Sequence, residues 1–162
     1  MSILYSDKFT SAGVELEERW SSGDTVTVVA RATLNAALTS ATNTTNTYYL
    51  AQLIPVRKGM QLVDWNVSVT DLDTHTTATL TFNLGDGGDA TRFASALTTG
   101  QAGGTADPTS GVTLTIASGL VSKGLGYVYT EDDTIDFRVQ TAPATSATTG
   151  AIQLAATFYC GP

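Results

Sequence analysis

Charge is the first thing this chain is short of. Charged residues make up 14% of its 162 positions, where about 25% is ordinary. Lys and Arg number 8 against 15 Asp and Glu, a net charge of −7. Nucleic-acid affinity needs clustered Lys and Arg. Here the basic residues are scattered, and the adjacent pair Arg57–Lys58 falls in a predicted turn. No nucleic-acid partner is expected. Cysteine is nearly absent too: Cys160 stands alone, so no internal disulfide exists and a plain thiol is expected. Zinc needs several His or Cys ligands, and the chain has one of each, His75 and Cys160. A Ser–His–Asp triad would have to use His75, and no Gly-x-Ser-x-Gly elbow is present. No run is long and apolar enough to cross a bilayer, so no membrane partner is expected. The opening MSILYSDKF has neither a basic start nor a long apolar stretch. It does not read as a signal peptide, and the expectation is a protein made in a cytoplasm.

What is present is β pattern. With charge scarce, Thr, Ser, Ala, Asn and Gly must build much of the surface. Interface cores are depleted in Lys, Glu and Asp, so much of this surface is expected to meet protein. Thr-rich strands also follow from β propensity alone. Residues 1–23 differ from the rest. They hold Glu15, Glu17 and Glu18 and the apolar Ile3, Leu4, Tyr5 and Phe9. We read them as an N-terminal arm whose four apolar residues are candidate partner-binding positions. They would dock either on their own sheet or on a neighbour. Ser22-Gly23-Asp24 is a turn signal, and residues 24–162 read as one domain.

Within that domain Val26, Val28, Ala30, Ala32 and Leu34 alternate with Thr25, Thr27, Val29, Arg31 and Thr33, the period of a half-buried strand. Residues 36–46 read as a loop, 47–54 as a strand ended by Pro55, and PVRKG as a turn. The most regular stretch is 61–85. Val63, Trp65, Val67 and Val69 oppose Asp64, Asn66, Ser68 and Thr70. Then Ala78, Leu80, Phe82 and Leu84 oppose Thr77, Thr79, Thr81 and Asn83. The polar DLDTHT between them reads as a hairpin loop. RFASAL (92–97) is too short to assign, and 98–111 is a long loop. Further strands are expected at 112–116, at 126–130, at 134–141 with Ile135, Phe137 and Val139 inward, and at 151–159 with Ile152, Leu154, Ala156 and Phe158 inward. About eight strands with no convincing helix predict an all-β, single-domain β-sandwich, jelly-roll-like, carrying an N-terminal arm.

Chemistry is scarce. Asp86–Asp89 in GDGGD, with Asp71 and Asp73, and Glu131-Asp132-Asp133 are carboxylate clusters of the kind calcium prefers. Neither has EF-hand spacing, and Asx-type turns account for them better. Two carboxylates across a cleft would suit a glycosidase, but no pair is singled out. Exposed rings for carbohydrate would come from Tyr48, Tyr49, Trp65, Tyr127 or Tyr129, with Trp65 read as core. No catalytic residue, metal or cofactor is assigned, and no enzymatic activity is expected.

Residues 47–162 carry a further pattern. A strand ends in Leu53-Ile54-Pro55 with Gly59 after it, and a strand with an acidic tail runs from Val63 to Asp73. Thr79-Leu80-Thr81-Phe82-Asn83-Leu84-Gly85-Asp86 follows. Asp133-Thr134-Ile135-Asp136-Phe137 precedes an Ala/Thr loop, and Thr149-Gly150-Ala151-Ile152-Gln153-Leu154 leads to Phe158-Tyr159. This resembles the head decoration, or cement, proteins of tailed phages. The resemblance implies a sandwich that oligomerises, usually as a trimer, and clamps the phage major capsid protein from the outer surface of the head. It would be made in the host cytoplasm and end in the virion. The competing expectation is a receptor- or carbohydrate-binding β-sandwich module of the tail fibre or tip type.

Overall fold

Alternation of small apolar and polar residues makes residues 25–34 a strand with one buried side, and the rest of the sandwich is built on such strands. The computed structural model describes residues 3–5, 9–10, 13–14, 23–34, 50–108 and 124–161. For the residues before 23 and for Leu50, the backbone alone is described. The strands are β1 (Ile3–Tyr5), β2 (Phe9–Thr10), β3 (Gly13–Val14), β4 (Thr25–Leu34), β5 (Leu50–Val56), β6 (Met60–Val69), β7 (Thr81–Gly85), β8 (Ala94–Leu97), β9 (Gly104–Ala106), β10 (Asp133–Thr141) and β11 (Gly150–Cys160). A short 3-10 turn covers Thr99–Gln101.

One sheet has the order β4-β11-β6-β9 and the other β1-β5-β10-β7-β8; β2 and β3 pair with each other. All pairings are antiparallel except β1 with β5. Successive long strands β4, β5, β6 and β7 fall in alternate sheets, so the chain crosses the sandwich at each connection. One buried cluster joins both inner faces: Val28, Ala30, Trp65, Val67, Leu154 and Phe158 from the first meet Leu53, Phe82, Leu84, Phe137 and Val139 from the second. Phe82 and Phe137 are fully buried, with ring centroids 4.8 Å apart.

The predicted sandwich is therefore observed, and several local expectations change. Residues 61–85 are not a hairpin, because β6 and β7 lie in different sheets. Residues 70–80 cross the end of the sandwich, with Leu72 buried and its N–H donating to the Gly100 carbonyl. The second strand begins at Thr81 rather than Thr77, since the Thr79 and Leu80 amides donate to the Asp73 carboxylate instead of to a ladder. Val63 was expected inside and is 46% exposed. A bulge explains it. On β11, Thr157 pairs with Asp64 and Phe158 with Leu62, so Val63 is the extra residue. Such an insertion flips the inward set: Met60 and Leu62 face in before it, Trp65, Val67 and Val69 after it.

Pro55 lies inside β5 rather than ending it. Because β1 pairs only with Leu50–Gln52, the stretch beyond has a neighbour on one side, where a missing N–H costs no ladder bond. RFASAL contributes β8. Part of the long 98–111 loop is the 3-10 turn and β9. Residues 126–130 form no strand, but Val128 bridges Gln61, and Gly126 and Tyr129 donate to the Leu62 and Met60 carbonyls. Asn83 and Asp136, on the outward side of the alternation, are buried. Asn83 is covered where β8 bulges against it: Ala96 takes a left-handed φ of 54°, and its N–H donates to Asn83 Oδ1. The loop 36–46, Tyr48, Tyr49 and the strand expected at 112–116 lie outside the described residues.

Candidate interaction surface

Two of the carboxylates that could have carried chemistry hold loops instead. Asp73 sits at the crossing between β6 and β7, 1% exposed. Its Oδ2 accepts from the amides of Thr79 (2.7 Å), Leu80 (3.0 Å) and Ala144 (3.0 Å), and its Oδ1 from Thr145 (3.0 Å) and His75 (3.4 Å). Burial works to raise its pKa, but the amide donors outweigh it and hold the carboxyl down to about 2. A carboxylate so saturated with donors is a structural knot joining two loops, not a general base. His75 is exposed, its Nδ1 accepting from the Thr77 amide.

Asp86 is equally buried. It accepts from the Gly88 and Asp89 amides and pairs with the Arg92 guanidinium. This closes GDGGD into an Asx-type loop, as its composition suggests. Gly85 is required there, since a Cβ would fall 2.2 Å from the Asp89 carbonyl oxygen. Arg92 in turn lies 3.8 Å over the ring of Tyr127, which meets Tyr129 edge-on at 5.0 Å. Asp136 is pushed up by burial, against the Thr134 hydroxyl and Arg138 that favour its charge. Of the acidic run, Glu131 is exposed, Asp132 accepts from the Lys58 amide and Asp133 from Gly87. Among the described residues no group of three or more His, Cys, Asp or Glu is placed to hold a metal ion. Trp65 and Tyr129 are core residues at 2% exposure. Cys160 is buried, and burial with the nearby Asp24 charge raises its thiol pKa.

A candidate interaction surface lies on the first sheet. The outer face of the first sheet is built from in-register rows across β4, β11 and β6. Thr27, Thr157 and Asp64 form one row, Val29, Ala155 and Asn66 the next, then Arg31, Gln153 and Ser68. The Thr27 and Thr157 hydroxyls share a hydrogen bond of 2.8 Å, and Arg31 Nε donates to Gln153 Oε1 at 2.6 Å. Among the described residues the exposed large apolar side chains are Val29, Val63, Val128 and Tyr159. All four belong to this face, since Val128 and Tyr159 both pair with Gln61. Residue patterning missed this clustering. The available signal was Val29, an apolar residue on the otherwise polar side of β4, and the broken alternation at Val63.

The candidate residues of the arm are placed as backbone. Ile3, Leu4 and Tyr5 pair in parallel with Leu50, Ala51 and Gln52 of the same chain, and Phe9 pairs with Val14. Their side chains lie outside the described residues.

No protein-family model and no curated protein matches the chain. Solved structures do. A chain of the cyanophage Pam1 capsid asymmetric unit superposes with a TM-score of 0.63 at 25% identity, covering 96% of this chain and 99% of that one. A chain in the capsid of Ralstonia phage GP4 gives a TM-score of 0.70 at 21% identity, with 99% of each chain covered. The fold is thus shared end to end with chains of two phage capsids.

Proposed function

We propose that this chain is a structural protein of a phage virion, and within it a head decoration or cement protein on the outer surface of the shell. The observation that carries the reading is the end-to-end likeness to a chain of the Pam1 capsid at 25% identity. The surface chemistry supports it. A net charge of −7 disfavours contact with packaged DNA and suits an outward position. Among the described residues Asp73, Asp86 and the buried aromatics serve the fold, and the proposed role needs only surface.

Setting the arm and the β2–β3 ribbon aside, among the described strands one sheet runs first-eighth-third-sixth and the other second-seventh-fourth-fifth. We read that order as the two interlocked Greek keys of a jelly roll. The oligomer proposed is a trimer, and the partner is the major capsid protein. The mechanism is linkage: a protein that binds only the assembled shell stabilises it by RT ln(1 + [L]/Kd), about 2.7 kcal/mol at a hundredfold excess over Kd.

The carbohydrate-module alternative needs accessible rings. Among the described residues Trp65 and Tyr129 are buried and Tyr127 lies beneath Arg92, which leaves Tyr159. The deciding experiment is cosedimentation of the purified chain with empty, expanded heads of its own phage. Saturable binding with a rise in the heads' disruption temperature is expected. No binding to heads would overturn the cement reading.

A further inference from the structure

Resting on the oligomeric part of that reading, we propose that the outer face of the β4–β11–β6 sheet is where copies of this chain meet one another. The occupant of the face is a second copy. Three observations single it out. First, Val29, Val63, Val128 and Tyr159, the exposed large apolar side chains among the described residues, all lie here. Among the described residues the outer side of the second sheet has no such set; it carries the buried Asn83 and Asp136 with Arg138, already engaged within the chain.

Second, charge favours self-contact. The chain as a whole is at −7, so most of its surface repels another copy. Across β4, β11 and β6 the charged residues of this face are Arg31 and Asp64. Arg31 stands on β4 and Asp64 on β6, with β11 between them. A neighbouring copy can therefore set its β6 side against this β4 side, bringing opposite charges together. That head-to-tail arrangement is the kind a closed ring of three requires.

Third, the area suffices. Strands of 10 and 11 residues span about 33 Å, and four strand widths span about 19 Å, counting β9 and residues 126–129 along the edge of β6. The product is roughly 600 Å² per copy; a ring of three divides that face between two neighbours and buries about 600 Å² at each seam and about 1,800 Å² in all, a total above the ~1,000 Å² a specific assembly needs. The side-chain pairs Thr27–Thr157 and Arg31–Gln153 are already ordered, which lowers the entropy cost of association.

The test is the solution mass of the full chain by light scattering and sedimentation equilibrium at matched concentration. The wild type is compared with the double variant Val29→Glu, Val63→Glu and with Ser95→Glu, an exposed position on β8. We expect an oligomer for wild type and S95E, and at least tenfold weaker association for the double variant, with unchanged circular dichroism. Should the double variant not fold, Ala155→Arg on the central strand takes its place. An oligomeric wild type whose face variants keep the same mass overturns this face while leaving the oligomer reading intact. A monomeric wild type overturns both. Face variants that stay oligomeric but no longer cosediment with heads would assign the face to the capsid and overturn the proposal. A monomeric variant, beside an oligomeric wild type, supports it whether or not heads are bound.

Discussion

Replacing Asp73 by asparagine removes one charge and almost no volume, so it isolates what that buried carboxylate does. Its two oxygens accept from five amides: three on Oδ2 (Thr79, Leu80, Ala144) and two on Oδ1 (Thr145, His75). Asparagine keeps one acceptor oxygen. Its best fit leaves the amide group facing the two Oδ1 donors, which are then unmatched. Each such donor costs about 1–3 kcal/mol when buried. Thr145 and His75 are exposed residues, so the low end applies to them. The remaining bonds lose their charge assistance. We expect a loss of about 2–4 kcal/mol, a fall in Tm of roughly 5–15 °C for a chain of this size.

The pH dependence provides the sharper check. The folded-state pKa of Asp73 is depressed from 3.8 to about 2. Its contribution is therefore fully present above the unfolded-state value and is lost as the pH falls through about 2. After allowance for solvent screening near the surface, the shift corresponds to about 1–2 kcal/mol. Asp136 is raised by burial, and its contribution runs the other way, present at low pH and lost as the pH rises. Comparing wild type with D73N cancels that term. The assay is thermal and urea unfolding followed by circular dichroism, at fixed protein concentration, from about pH 7 down to about pH 2. The gap between the two proteins should narrow on acidification. A gap under about 0.5 kcal/mol at neutral pH, or one that does not change with pH, would refute the reasoning.

Three further substitutions probe the register and the loop. Leu62→Ala, at a fully buried position, should cost about 2–5 kcal/mol, whereas Val63→Thr beside it should stay within about 0.5 kcal/mol; equal losses would mean the bulge is misplaced. Arg92→Met strips Asp86 of its cation and Tyr127 of its stacking partner. With the Gly88 and Asp89 amides still donating, a loss of about 2–4 kcal/mol is expected by denaturant titration, and a neutral result would show that the amides alone satisfy Asp86.

The long strands were legible wherever alternation was unbroken. In β4 and β11 every predicted inward residue from Val28 to Leu34 and from Ile152 to Phe158 is buried, because a period of two leaves one side no alternative to the core. The reading failed where a backbone insertion or a long-range acceptor intervened. One extra residue at Val63 reverses the inward set, and its local trace, the adjacent apolar pair Leu62-Val63, does not say which of the two faces the core. Thr79 and Leu80 look like strand residues, yet their amides are taken by Asp73, which also reaches Ala144 and Thr145 in a loop far along the chain.

By itself, then, the sequence determined a β-sandwich lacking basic clusters, an internal disulfide and a zinc ligand set, since composition and period act locally and need no partner. Tertiary structure alone decided that residues 61–85 divide between two sheets, that Asp73 and Asp86 are buried knots, and that Val29, Val63, Val128 and Tyr159 share one outer face. Each of these depends on which distant strand lies alongside, and strand order is a property of the closed sandwich that no single stretch of residues encodes.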